Sequence, residues 1–94
     1  MATGVNKQTA TVTPVATSTS AVNLFAAGAV GSGRMIVNDS AGILYVKFGA
    51  AASATDWTVK VAAGGYYELP QPLYGGLVTG VLDTGTGTAR VTSY

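Results

Sequence analysis

The sequence predicts an all-β chain: a single small β-sandwich or jelly-roll-like domain of about eight short antiparallel strands with an extended N-terminal arm. Three observations predict it. No stretch carries a helical repeat of apolar residues; SAVNLFAAGA makes at most one turn, started by Ser20 and cut off by Gly28, Gly31 and Gly33. Short runs of alternating or β-branched residues recur along the chain. Clusters of Gly, Asn, Asp and Ser separate those runs at the spacing of an all-β domain.

The elements follow in chain order. Residues 1–8 read as a loose arm, with one charge and few large apolar groups. In TATVTPV, Thr9, Thr11 and Thr13 share one face, and Ala10, Val12 and Pro14 share the other. Its β-propensity suits pairing with a sheet edge of this chain or of a neighbour. Pro14 cannot donate to a ladder, which places the strand at an edge. The chain therefore divides into an arm and edge strand, residues 1–15, and a sandwich body, residues 16–94. Further strands are expected over 22–25, 35–38, 43–48, 56–61, 66–69, 77–82 and 89–93. DWTVKV alternates clearly, with Trp57, Val59 and Val61 inward and Thr58 and Lys60 outward. NDSAG, AAGG and DTGTGT read as hairpin loops, Gly42 supplying a left-handed residue in the first. In GGYYELPQPLYGG, Tyr67 shares a face with Leu69 and points inward, while Tyr66 shares one with Glu68 and points outward. LPQPL runs extended, because each proline fixes its own φ and biases the residue before it. Tyr66 and Tyr74 are thereby expected on one exposed surface; the alternative is that Tyr66, Tyr67 and Tyr74 all fill a small core with few other large side chains.

Composition narrows the function. Ninety-four residues make one small domain, which buries about two-thirds of its unfolded surface and folds with little margin. Association with a partner adds burial. Only 10% of the residues are charged, against about 25% in ordinary soluble domains, and much of the 48% hydrophobic content is Ala and Val. Such a surface suits packing against other proteins. Lys7, Arg34, Lys47, Lys60 and Arg90 are scattered and the net charge is +1, which argues against nucleic acid. No basic amphipathic stretch and no apolar run of about 20 residues points to a membrane. MATGVNKQTATV has no apolar signal region, so the NDS sequon at Asn38 reads as a turn.

The chemistry of enzymes is poorly provided for. The chain has neither His nor Cys, the commonest general base and the best nucleophile. Without Cys there are no disulfides or thiolate metal sites, which fits a reducing cytoplasm or an assembly that needs no staples. The acids are Asp39, Asp56, Glu68 and Asp83, and two of them fall in expected turns rather than across a cleft. No segment has the alternating acids of a calcium loop. GAVGSG is not a phosphate-binding glycine motif, and Ser32 has no histidine to activate it. A non-enzymatic protein without cofactor or metal is expected. Its interface residues are expected to be Thr9, Thr11, Val12, Thr13 and Val15 of the edge strand, with Tyr66, Glu68, Gln71 and Tyr74.

The segment IVNDSAGILYVKFGAAASATDWTVKVAAGGYYELPQPLYGG, together with GTARVTSY, resembles small bacteriophage virion proteins. The resemblance covers roughly residues 34–94 and consists of structural rather than catalytic residues. It implies a capsid decoration, or cement, protein: a homotrimer on the outer surface of the head, made in the host cytoplasm, with the major capsid protein or another virion protein as partner. A tail or neck adaptor and a fibre base are the alternatives within the virion. A carbohydrate-binding module, with Trp57, Tyr66 and Tyr74 as stacking rings, is the alternative outside it.

Overall fold

The structure is a computed structural model that describes residues 10–28 and 31–94. Thr9 and the expected arm, residues 1–8, lie outside the described residues. The described residues form eight strands: β1 (Thr11–Thr17), β2 (Val22–Phe25), β3 (Arg34–Asp39), β4 (Leu44–Phe48), β5 (Val59–Val61), β6 (Tyr66–Glu68), β7 (Val78–Leu82) and β8 (Gly87–Ser93). They make two four-stranded sheets, ordered β1-β8-β3-β6 and β2-β7-β4-β5. All pairs are antiparallel, and there is no helix among the described residues. The expected eight-stranded all-β sandwich is what the chain forms.

The second half of the chain retraces the first. β1 pairs with β8, β2 with β7, β3 with β6 and β4 with β5. The pairs β3–β8 and β4–β7 complete the sheets. Only β4 and β5 are consecutive strands of one sheet, so the other six connections cross between layers. NDSAG, AAGG and DTGTGT are therefore crossings rather than hairpins. The left-handed glycines of these segments are Gly64, with φ +75°, and Gly85, not Gly42 as expected. Such turn chemistry reverses the chain equally well in either setting. It does not say which layer the next strand joins.

β1 corrects the division of the chain. It pairs with β8 along its whole length, from Thr11 opposite Ser93 to Thr17 opposite Gly87. The boundary expected after residue 15 falls inside this strand, and residues 11–15 belong to the first sheet. The alternating Thr/Val segment finds its ladder in its own chain. Pro14 sits on an edge strand, as its missing N–H requires.

Between the layers, Ile36, Leu69, Ala89 and Val91 meet Leu24, Leu44, Val46, Val61, Val78 and Leu82. Gly80 in β7 is a packing requirement: a Cβ there would stand 2.8 Å from Leu24 Cδ1 and 3.2 Å from Leu44 Cδ1. Tyr67 packs against this core, and Tyr66 points away from it. Trp57 does not join it and is 40% exposed. β5 begins only at Val59, because Thr58 bends the chain, its N–H donating to Val46 O at 2.7 Å and its hydroxyl accepting from Phe48 N–H at 3.0 Å. The bend breaks the alternation and lays Trp57 on the outer face of the second sheet. There its ring centroid is 5.9 Å from that of Tyr45, and the Lys60 ammonium lies 5.5 Å away over the ring. Beside it the β4–β5 loop folds over the sheet: Ala52 N–H donates to Thr79 Oγ1 at 3.0 Å, and that hydroxyl donates to Gly49 O at 2.6 Å.

The inward residues of β3 are Arg34, Ile36 and Asn38, all buried. The Asn38 amide nitrogen donates to Gly42 O at 2.9 Å, Val61 O at 2.9 Å and Ala62 O at 3.1 Å. Its Oδ1 accepts from the Ser40 hydroxyl at 2.6 Å. Asn38 is thus a strand residue that ties the first sheet to β5 and to two crossings, not part of a turn.

Two substitutions check this account by urea or thermal unfolding. Asn38→Ala removes both amide N–H donors and the acceptor of the Ser40 hydroxyl, while Ala62 O keeps Gly65 N–H at 2.8 Å and Gly42 O keeps the Ser40 hydroxyl at 3.3 Å. At about 1–3 kcal/mol per unsatisfied buried group, it should lower stability by roughly 3 kcal/mol. A change under about 0.5 kcal/mol, the usual range for surface sites, would contradict the role. Trp57→Ala should cost well below the roughly 3–5 kcal/mol of a core tryptophan, whereas Tyr67→Ala should cost more than Trp57→Ala.

Candidate interaction surface

The outer face of the first sheet is built by alternation on four strands. β1 buries Val15 and Thr17 to different extents, so Val12, Pro14 and Ala16 face outward. On β3 the outward residues are Met35, Val37 and Asp39; on β8 they are Thr88, Arg90 and Thr92; on β6 they are Tyr66 and Glu68. Register then sets the rows. Val12 lies opposite Thr92, which lies opposite Met35, which lies opposite Glu68. Pro14, Arg90, Val37 and Tyr66 form the next row in the same way. Three strand spacings of about 4.8 Å make each row roughly 14 Å wide.

Five of the eight residues in these two rows are apolar. Val12 is 59% and Tyr66 70% exposed, while Met35 and Val37 are half-buried between them and their neighbours. Thr92 and Arg90 of β8 stand between the apolar pair Val12 and Pro14 on β1 and the apolar set Met35, Val37 and Tyr66 on β3 and β6. Isolated apolar residues are normal on any protein surface, and such groups on a rigid sheet are more informative. The formal charges on the face are few and locally matched. Arg90 Nε meets Asp39 Oδ2 at 3.1 Å, an exposed pair that adds little stability. The Tyr94 hydroxyl donates to Glu68 at the border of the face. That hydrogen bond, followed by lost hydration and the Glu68 charge, pushes the Tyr94 phenol above its ordinary pKa.

The expected interface residues divide. Val12, Tyr66 and Glu68 share this face, with Val12 on the β1 edge and Tyr66 and Glu68 on the β6 edge, about 14 Å away across the sheet. Thr11, Thr13 and Val15 project from the other side of β1; Thr11 and Thr13 are exposed, and Val15 packs on the core. Gln71 is exposed in the loop after β6, where its Nε2 donates to Ser32 O at 2.7 Å. Tyr74 is half-buried against the core, its ring stacked on Phe48 at a centroid distance of 4.9 Å and 13° between planes. It does not share the exposed surface of Tyr66, because a core with few large side chains takes up the ring. Trp57, Tyr66 and Tyr74 consequently occupy the outer face of one sheet, the outer face of the other and the core, and they form no common platform.

Other residues of the face were not singled out by the sequence. Met35 and Val37 alternate with Ile36, which marks two faces without marking which one is buried. Arg34 also escapes sequence reasoning, and the residue as a whole is 3% exposed. Nη1 donates to Tyr74 O at 3.0 Å and Gly76 O at 2.7 Å, and Nη2 donates to Ala26 O at 2.8 Å. The Phe25 ring centroid lies 4.8 Å from its Cζ.

Among the described residues no group of three or more His, Cys, Asp or Glu is placed to hold a metal ion. No helix among them is long and apolar enough to cross a membrane. Comparison with protein-family models, curated proteins and solved structures gave no match in any of the three.

The Tyr94–Glu68 contact can be read directly. A phenol whose folded pKa is raised contributes stability that is complete below its unfolded pKa of about 10 and is lost as pH rises through the folded value. Ultraviolet titration should show one tyrosine ionising later than an unperturbed phenol, and Tyr94→Phe should remove that late step. A late step that persists in Tyr94→Phe would place the perturbed phenol elsewhere.

Proposed function

We propose that the protein is a non-enzymatic structural protein of a bacteriophage virion, which docks on the outer surface of the capsid shell and stabilises it as a homotrimer. The observation that carries this reading is the outer face of the first sheet, where Val12, Pro14, Met35, Val37 and Tyr66 share two adjoining rows with Thr92, Arg90 and Glu68, and where Val12 and Tyr66 are exposed. A protein-binding face of this kind is anchored by exposed aromatic and aliphatic groups on a preorganised backbone. The partner in this reading is the major capsid protein, and the location is the virion.

Three further features support it. Low overall charge suits a subunit that lives against other proteins. The resemblance of residues 34–94 to phage virion proteins points the same way. The strand orders β1-β8-β3-β6 and β2-β7-β4-β5 suit a jelly roll, an eight-stranded double-sheet architecture used in viral capsid and lectin domains. This last support is an analogy of fold and carries less weight than the surface. A repeated shell also compensates for a modest contact, because linked copies gain roughly 10²–10⁴ in avidity. A tail or neck adaptor, or a fibre base, would use the same face, and the copy number per virion separates these roles from decoration.

Binding of the purified protein to capsids lacking it tests the reading. Tyr66→Ala and Val12→Asp should each weaken binding about tenfold or more, with the melting temperature unchanged. Binding should persist as salt rises, because few charges are available to screen over a Debye length of about 8 Å. Unaltered binding by both variants, or release by moderate salt alone, would overturn it.

A further inference from the structure

The Arg34 end of the sandwich holds a buried cation without a counterion. No carboxylate lies within salt-bridge distance of Arg34 among the described residues, whose ion pairs are Lys47–Asp56 at 2.5 Å and Arg90–Asp39 at 3.1 Å. Its three acceptors, Ala26 O, Tyr74 O and Gly76 O, are neutral carbonyls. A guanidinium has five N–H donors. With both on Nη1 and one on Nη2 engaged, Nε–H and the second Nη2–H have no acceptor among the described residues. These two stand on neighbouring nitrogens of a planar group, the arrangement a carboxylate takes bidentately. Lost hydration lowers the guanidinium pKa, an effect that Tyr74 partly offsets.

A cleft opens beside this group. It has a volume of about 220 Å³ and is lined by Phe25, Ala26, Ala27, Gly28, Arg34 and Ser93, among others. Ser93 lies directly opposite Arg34 in the β3–β8 register, so both side chains project from the same face about 5 Å apart. The Ser93 hydroxyl has no partner among the described residues. Residues 29 and 30 lie outside the described residues, and no part of the site is assigned to them.

We propose that this cleft binds an aliphatic carboxylate, its oxygens received by Arg34 Nε–H and Nη2–H and by the Ser93 hydroxyl, with its alkyl part against Phe25, Ala26 and Ala27. The apolar walls select a carboxylate over phosphate, which would lose its hydration there for too few donors. The volume accommodates a small free acid or the end of a Glu or Asp side chain from a partner protein. This site is distinct from the outer face of the first sheet and does not depend on the function assigned to that face.

Two-dimensional NMR of the whole protein tests it, with acetate as the free acid and N-acetylglutamic acid α-amide as the side-chain mimic. Sodium chloride at equal ionic strength is the control. Saturable shifts of Arg34 Nε–H and of the Gly28 and Ser93 amides are expected with at least one probe. The probe that saturates first identifies which source the cleft prefers. Ser93→Ala, which removes one hydroxyl from a half-buried position, should keep the fold and weaken binding several-fold. The absence of saturable shifts with both probes would overturn the proposal. So would equal shifts with chloride, or shifts confined to Lys47, Lys60 and Arg90.

Discussion

A chain that crosses between two layers at nearly every turn must satisfy main-chain groups that no ladder reaches. Each crossing leaves a sheet and so leaves its carbonyls and N–H groups without strand partners, and buried polar groups of the backbone are almost always paired. The inward row of β3 meets this requirement. Arg34 donates to Ala26 in the β2–β3 crossing and to Tyr74 and Gly76 in the β6–β7 crossing. Asn38 donates to Gly42 in the β3–β4 crossing and to Val61 and Ala62 where β5 passes into the next. Ile36 sits between them, fully buried in the apolar centre. One six-residue strand thereby supplies side-chain donors to four of the six crossings. Another, β7–β8, is held through Asp83, whose Oδ1 accepts from Ile43 N–H at 2.8 Å.

This arrangement explains how a core of mostly medium-sized aliphatic residues holds a sandwich together. The polar staples fix where the layers lie, and Leu, Ile and Val fill the space so defined. A buried polar group stabilises a fold only when its partners are in place, and removing one side of such a set exposes the full penalty of the other. The two ends of β3 differ in completeness. Asn38 uses both its amide nitrogen and its oxygen. Arg34 leaves two donors without an acceptor among the described residues, which makes one end a structural knot and the other a candidate site.

The sequence made the strands legible because their side chains alternate, and alternation is local. It made Tyr66 and Tyr67 legible because Glu68 and Leu69 mark the two faces. It did not reveal the pairing of strands distant in sequence, so crossings passed for hairpins. Hydrophobicity also misleads on β3, where Met35 and Val37 look as apolar as Ile36 yet face outward. Arg34 and Asn38 turn inward because carbonyls in remote segments require donors, and nothing within RMIVND records that demand. Trp57 is a smaller instance. Its apparent alternation with Val59 ends at the bend at Thr58, which is held by bonds to β4 rather than by its own neighbours. The interface residues on β1 were separated in the same way: alternation identifies two faces, but only the pairing with β8 decides that Val12 stands with Tyr66.

The edges of the sandwich direct association onto its face. An open sheet edge invites another strand, and proteins blunt such edges with proline or by keeping them short. β1 is the long edge, and it keeps an unbroken register with β8 through Pro14, so the nitrogen lacking a hydrogen faces the free side. β5 and β6, the edges on the opposite flank, are three residues each, and β2 is interrupted by a bulge against β7. Strand addition therefore has little continuous backbone to use at any of the four edges. The outer face of the first sheet has the opposite character, since its apolar side chains stand on strands already paired and stapled from beneath. Little ordering is required when such a face meets a partner, so more of the buried area appears as affinity. The same β1 strand serves both ends: Pro14 closes its edge, and Val12 beside it opens its face.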